Sequence, residues 1–570
     1  MATLTINNEN VQLGNNKIAL SKSAYPLSDW NFRTVQFSER VNIPFVPFID
    51  FKKYYDFKHK DNGQIVFTGT AMLMEKFNNM TMDVVLLDQS VKLFASMNNK
   101  LTSLELDSED FIFNISEYAS KKELNNSVWL WSADSTHENR ILANNIQSGN
   151  LAFSRPYLSV KRLFEKMFDV DKWSYLLSDN ANLLDKLIIS SNHKQFYFTS
   201  FEKIISINSN VSGTYNIDIS SSDFLKTDTV TATYTLNLTY DSMIRIRGFI
   251  EASNDCILQL NGLSSSSTDT LIETFVLNKG RFYYDVTSSE FATNDATFNV
   301  MFNVLGNASV TFDDVYIYTL IEEQKFGNIS LANFVDFKVK TYDNVPDISQ
   351  KELFKNCLTL TGGFLTTDNL RKQIKINSLN ELFRLGSHDW SSKFVENSDK
   401  ETSLSGYAKT NYFLFNNSDN KPFNQGRGDF NIINETLNDS KEIYTSTFEA
   451  SGEVEINSNL ISDNIIYSNL ERLNEFNVFV GYYDAVTDYT IAKFDLLNWN
   501  NILTNYYDNY IKAIQKGSII EANFILNKSD YFNFDFTKLV YISQLKATYY
   551  VLNIDSYIEN EETKLILLKA

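Results

Sequence analysis

The sequence predicts a mainly β fold with a few helices (α+β), in which barrel-like sheets at the two ends flank an inserted jelly-roll β-sandwich. Three observations predict it. Apolar and polar residues alternate with period 2 in many short runs. Those runs are filled by Thr, Tyr, Phe, Val and Ile, which suit a pleated, half-buried surface. Helical periodicity is confined to a few stretches, two of them opened by proline. A chain of 570 residues and 65.6 kDa exceeds what one core holds, so roughly three to five domains are expected. The divisions fall at 1–110 (a barrel-like unit), 111–200 (a mixed α/β connector with a helix near 156–168), 201–322 (the sandwich), 323–402 (a second helix-containing unit) and 403–570 (a β-rich unit).

In the first unit, Phe45-Val46-Pro47-Phe48-Ile49 is bracketed by Pro44 and Pro47 and reads as an edge or turn. Gln64 to Leu73 reads as a strand bent at Gly69, and Met82 to Leu87 as its neighbour. A short helix follows, with Leu87, Val91, Phe94 and Ala95 on one face. Pro156 is expected in the first turn of the next helix, whose stripe is Val160, Leu163, Phe164, Met167 and Phe168. After Pro346, Ser349-Gln350-Lys351-Glu352 has capping-box spacing, and Leu353, Phe354, Cys357 and Leu358 form the stripe.

Between Phe201 and Glu322 there is no proline and little charge. Tyr234, Leu236, Leu238 and Tyr240 alternate with Thr and Asn, as do Phe298, Val300, Phe302 and Val304. Val310 to Leu320 adds a long strand, and Leu263 to Thr270 reads as a loop. In the last unit Trp499, Ile502, Leu503, Tyr506, Tyr510, Ile511 and Ile514 mark a helix with an aromatic core stripe. Strands near Ile519–Leu526, Leu539–Ile542, Tyr549–Ile554 and Lys564–Leu568 finish the chain as a meander.

Hydrophobic content of 43% and aromatic content of 14% suffice for packed cores and speak against disorder. A net charge of −19 argues against sequence-specific nucleic-acid binding, which needs a basic surface. The start, MATLTINNENVQL, has no signal-peptide pattern, and no stretch reaches the roughly 20 apolar residues of a membrane anchor. Cys256 and Cys357 are expected as two buried free thiols, with a disulfide between them left open. Asn-x-Ser/Thr triplets such as those at Asn79 and Asn307 carry no weight in so Asn-rich a chain.

Reactive constellations are missing from the sequence. His59, His137, His193 and His388 have no partner at metal-ligand spacing, and no Gly-x-Ser-x-Gly elbow occurs. No catalytic residue, cofactor or enzymatic activity is therefore expected. The weak exception is Asp313-Asp314, a candidate for Ca²⁺ or a sugar, with a solvated strand end or turn as the plainer reading. Arg427-Gly428-Asp429 spells an integrin-binding tripeptide but reads as a turn. Tyr and Phe of the sandwich either stack on sugar rings or fill its core.

Several stretches resemble a family of tail-hub or baseplate proteins of tailed phages and prophages of Bacteroidota. They are Asn42-Ile43-Pro44-Phe45, Ile65 to Ala71, Val84 to Asp88 with Leu93-Phe94, and Gly406-Tyr407-Ala408-Lys409-Thr410-Asn411-Tyr412 before a turn at Gly426 to Gly428. Glu521-Ala522-Asn523-Phe524 with Asp530, Tyr549 to Ile554 and Thr563 to Leu568 complete the set. The resemblance covers most of the chain outside the sandwich, and the sandwich itself resembles carbohydrate-binding-type insertions. It implies tail-tube-like β-barrels and a structural virion protein, assembled in the bacterial cytoplasm, that ends the tail tube, links it to fibres or tip proteins and gates DNA ejection. It also implies a ring of copies, commonly a trimer, whose acidic lumen would repel DNA. It brings no catalytic residues. The alternative is a receptor-binding tail protein whose sandwich grips host surface glycans, and a capsule- or wall-degrading enzyme ranks third.

Overall fold

The computed structural model describes the chain apart from residues 1–2, 12, 14–17, 24–34, 39, 52, 62–63, 78–79, 108–109, 113–128, 134–153, 170–171, 179–181, 191–196, 200–201, 209–213, 218–223, 226–239, 265–268, 290, 294–297, 307, 323–337, 369–370, 383–385, 404–405, 417–426, 451, 455–464, 468–477, 487–488, 494–496 and 517. Its strands make a mainly β protein with a few helices. The run Tyr234 to Thr239, His137, His193, Asn79 and Asn307 lie outside the described residues.

The largest sheet has 14 strands and is built from both ends of the chain. Thr81–Asp88 alternates half-buried and buried residues along its whole length, so one face meets the core and the other is left more open. It pairs with Gln64–Phe77, which pairs with Tyr54–Asp61. At the other end Ser518–Ile525, Glu562–Lys569 and Ala547–Tyr557 are neighbours. The two halves join where Leu20–Ser23 pairs with Ala547–Tyr557. Among the described strands the sheet runs as an open path, with Glu9–Val11 and Lys400–Ser403 as its ends, so the expected barrel does not close.

Several local expectations hold for the stated reasons. Pro44 ends the strand Val41–Pro44 and a turn follows. Ser349 caps the helix Gln350–Leu360 by accepting the Glu352 N–H at 3.1 Å. All of Val160, Leu163, Phe164, Met167 and Phe168 are buried on the helix Val160–Asp169. These two helices meet through Phe164 and Phe354, ring centroids 5.0 Å apart. The Gly-Tyr-x-x-x-Asn-Tyr motif is structural: Asn411 clamps Ala408 by accepting its N–H at 2.9 Å and donating to its carbonyl at 2.7 Å. The Tyr407 hydroxyl meets that of Tyr510.

Others need correction. Pro156 lies in the strand Ser154–Ser159, opposite Trp131 and beyond the three residues that pair on the other side, so its missing N–H breaks no ladder there. The register of Gln64–Phe77 shifts twice, between Ile65 and Phe67 against Tyr54–Asp61 and between Leu73 and Glu75 against Thr81–Asp88, and at Gly69 a Cβ would run into the Leu87 carbonyl oxygen. The helix Ser90–Ser96 buries Ser90 and Leu93, while Ala95 faces out. A π-helical turn at Leu503–Tyr507 adds a residue to the aromatic helix, so Tyr507 is buried and Tyr506 only half-buried. The final strands are not a simple meander, because Ser518–Ile525 lies beside Glu562–Lys569 and away from Leu539–Ile542. Arg427-Gly428-Asp429 is no turn: it opens the strand Arg427–Asn431, antiparallel to Thr410–Leu414. Leu263, Ser264, Asp269 and Thr270 belong to paired strands, which narrows the expected loop.

The sandwich has eight principal strands: Glu202–Asn208 (β1), Thr214–Ile217 (β2), Tyr240–Ala252 (β3), Cys256–Ser264 (β4), Asp269–Leu277 (β5), Gly280–Thr287 (β6), Phe298–Leu305 (β7) and Val310–Glu322 (β8). One sheet runs β1-β8-β3-β6 and the other β2-β7-β4-β5, all antiparallel. That order is the jelly roll. Ile244, Ile246, Leu258, Leu260, Phe312 and Ile317 fill the space between the sheets in a core of their own. A second, continuous core takes residues from all four units expected outside the sandwich, from Leu4 to Leu568. Cys256 and Cys357 are free, buried thiols in different cores.

Gly428 backs onto Trp499, and a Cβ there would lie 2.7 Å from the Trp499 Cβ. Gly428→Ala is expected to destabilise the protein by about 1–3 kcal/mol, read as a lower denaturant midpoint at unchanged m. An unchanged midpoint would contradict this packing.

Candidate functional site

Alternation along β3 sends Ile244, Ile246 and Ile250 into the sandwich core and Arg245, Arg247 and Phe249 to the outer face of its sheet. A bulge in β8 keeps this phase past Asp313: Arg247 pairs with Tyr316 and Phe249 with Asp313, leaving one extra residue in β8. Asp314 sits in the bulge at φ +46°. Gly248 faces it at φ +148°, where a Cβ would stand 2.8 Å from the Val315 Cα. The outer face thereby divides into two halves.

One half is docked on the body of the protein. The short helix Thr341–Asn344, its preceding Lys340, and the segment of Asp107 and Asp110 cover it. Arg245 forks onto Asp285, donating to Oδ1 at 2.8 Å and Oδ2 at 3.0 Å, and reaches Asp343 Oδ1 at 2.8 Å. Arg247 pairs with Asp107 and lies 3.7 Å over the Tyr342 ring. Lys340 pairs with Asp110 at 2.6 Å, both nearly inaccessible, and Thr341 N–H donates to the same carboxylate at 2.9 Å. Tyr318 donates to Asp343 Oδ1 at 3.1 Å, and Tyr342 donates to Asp285. Burial raises Asp343 to about 6 because desolvation outweighs the pull of Arg245. Burial likewise raises Asp110, against the attraction of Lys340. Burial acts on Asp285 too, but the Arg245 hydrogen bonds overcome it and hold this carboxyl below its ordinary value.

The other half is more open, although the Tyr283 hydroxyl reaches Tyr342 of the docked half. Phe249 and Tyr283 stand opposite each other across β3 and β6, 41% and 51% exposed, with ring centroids 5.3 Å apart and edge-on. Arg281 lies 4.2 Å over Phe249 and donates to Asp313 Oδ2 at 2.5 Å. An apolar ring beside a charged donor–acceptor pair suits a ligand with a flat apolar face and hydroxyls at its rim.

Asp313 and Asp314 thus occupy a mid-strand bulge and not a strand end or turn. Asp313 is engaged by Arg281, and among the described residues no three His, Cys, Asp or Glu side chains gather as a metal site. His59 is buried in the body sheet and His388 lies exposed near Phe534. A cleft of about 630 Å³ runs between the helix Val160–Asp169 and the strand Ser174–Leu177, lined by Lys161, Arg162, Glu165, Trp173, Tyr175 and Asp185. Lys161 and Asp185 stand 3.7 Å apart across it. Sequence reasoning missed the docked cluster, although Arg245-Ile246-Arg247 was a usable signal: two cations on one face of a strand in a segment of little charge.

No protein-family model matches the chain, and no curated protein matches it. Among solved structures it is similar to the 43 kDa tail protein of prophage MuSo2 from Shewanella oneidensis, at 8% identity and TM-score 0.35, over 100% of this chain and 98% of that one. It is also similar to a family 6 carbohydrate-binding module (14% identity, TM-score 0.13, 21% of this chain and 93% of that one) and to Eiger TNF from S. frugiperda (8% identity, TM-score 0.15, 24% and 92%). With TM-scores this low, the functional reading rests on the chain's own residues. Among the described residues no helix is long and apolar enough to cross a membrane.

Removing one partner of a buried ion pair strands the other. Lys340→Met is expected to cost about 3–5 kcal/mol, and adding Asp110→Leu to restore most of it, both read from urea unfolding. Equal midpoints for wild type and Lys340→Met would show that the pair is not buried as described.

Proposed function

We propose that this chain is a structural component of a bacteriophage tail, a hub or tip-ring protein that ends the tail tube, joins it to fibres or tip proteins and gates DNA passage. The observation that carries the reading is the convergence of the resembling stretches. Those at Asn42 to Phe45, Ile65 to Ala71 and Val84 to Asp88 lie in or beside strands of the same 14-stranded sheet as those at Glu521 to Phe524, Tyr549 to Ile554 and Thr563 to Leu568. A frame made of both chain ends suits a load-bearing part better than a cleft enzyme does. Its open path leaves strand edges that neighbouring copies could pair with or cover. The proposal assigns the chain no reaction.

In negative-stain images and by mass photometry the purified full chain is expected to form a closed ring of copies, three being favoured, around a central opening. A compact monomer at micromolar concentration would contradict the proposal.

The more open half of the sandwich face favours a second reading, in which the same protein contacts host surface glycans. On a glycan array the full chain would then bind a defined saccharide, and Tyr283→Ala would lower that signal at least tenfold without changing the fold. An array without signal would remove the second reading and leave the first.

A further inference from the structure

The geometry points to a proton-controlled latch between sandwich and body: the sandwich is held against the body when Asp343 carries a proton on Oδ2, and is loosened when that carboxyl ionises.

The cores of sandwich and body share no side chain. What meets across the docked half of the sandwich face is the charge-and-tyrosine cluster, with a short ribbon of Phe111–Ile112, Lys338–Val339 and Tyr197–Thr199 beside it. Asp343 is at its centre, and its side chain has no exposed surface. Oδ1 accepts from both Arg245 and Tyr318, whereas Oδ2 has no hydrogen-bond partner among the described residues. An ionised carboxylate with one unpaired, water-free oxygen is costly to bury. A proton on Oδ2 removes that charge and leaves both bonds to Oδ1 intact.

The surroundings set the direction. From β3, Arg245 and Arg247 face Asp343 and favour its ionised form. Arg245 is already forked onto Asp285 of β6, and Arg247 is paired with Asp107 through one contact. From β8 come Tyr316 and Tyr318, the latter held neutral by burial. From the body come Lys340, bound to Asp110, and Tyr342, also held neutral by burial. Each cation thus has a carboxylate of its own, and desolvation prevails at Asp343.

Docked, Asp343 is raised to about 6. Released into water, it returns to its ordinary 3.8. The state with the higher value binds the proton, so acid favours docking as pH falls through 6. Asp110 is shifted in the same direction, and Asp285 in the opposite one, so the contribution of Asp285 is lost only below its ordinary 3.8. Docking therefore strengthens as pH falls from about 7 to about 4, by about fourfold between pH 7.5 and 5.5.

Hydrogen–deuterium exchange of the full chain at pH 5.5 and 7.5, corrected for the intrinsic pH dependence of amide exchange, tests this. Amides of β8 and of 338–345 are expected to open about fourfold less at pH 5.5, while Ser518–Ile525 in the body does not change. Asp343→Asn, which keeps an acceptor at Oδ1 and is neutral throughout, is expected to be as protected at pH 7.5 as the wild type is at 5.5. Opening that stays level or rises toward pH 5.5 in the wild type, or wild-type pH dependence in Asp343→Asn, overturns the latch. Should the variant not fold, the wild-type profile alone decides.

Discussion

The pairing of Leu20–Ser23 with Ala547–Tyr557 is the constraint on which the body depends. It is reinforced by side chains: Lys22 donates to the Tyr531 carbonyl at 2.7 Å, and the Ser556 N–H donates to the Ser21 hydroxyl at 2.9 Å. A sheet whose two halves join through Leu20–Ser23 and Ala547–Tyr557 cannot be completed until both of these distant strands exist. Contacts of such sequence separation are slow to form, because loop closure precedes the gain from pairing. In return, everything between the two ends is held by one frame. An insertion is tolerated where its own two ends leave the frame side by side, as they do at Tyr197–Thr199 and Lys338–Val339.

The sandwich uses that tolerance. It has its own apolar filling and meets the frame through charges and tyrosines. An apolar seam would hold the sandwich permanently, since apolar attraction is indifferent to pH and only weakly directional. A charged seam adds little net stability but fixes orientation and responds to protons.

The elements legible in the sequence were those whose cause is local. The alternation of Thr81–Asp88, the stripe of Val160–Asp169 and the Ser349 cap each need only a few consecutive residues to be read. The jelly-roll sandwich was legible from its many evenly spaced strands. What failed had causes elsewhere in the chain. The π-helical turn moved Tyr507 into the place expected for Tyr506, to donate its hydroxyl to the Thr359 carbonyl at 2.6 Å. Arg427-Gly428-Asp429 looked like a turn because the reason for Gly428 is Trp499, far along the chain. The docked cluster joins Arg245 to Asp343, Arg247 to Asp107 and Lys340 to Asp110 across 98, 140 and 230 residues. No window of sequence contains those pairs.

Native-state hydrogen exchange under rising denaturant tests most directly whether the two chain ends form one body distinct from the sandwich. Amides of Thr81–Asp88 and of Ala547–Tyr557 should merge into one opening isotherm, and those of Ile244 to Ile250 should follow a separate one. Separate isotherms for the two ends, or one isotherm shared by the sandwich and the whole body, would contradict it.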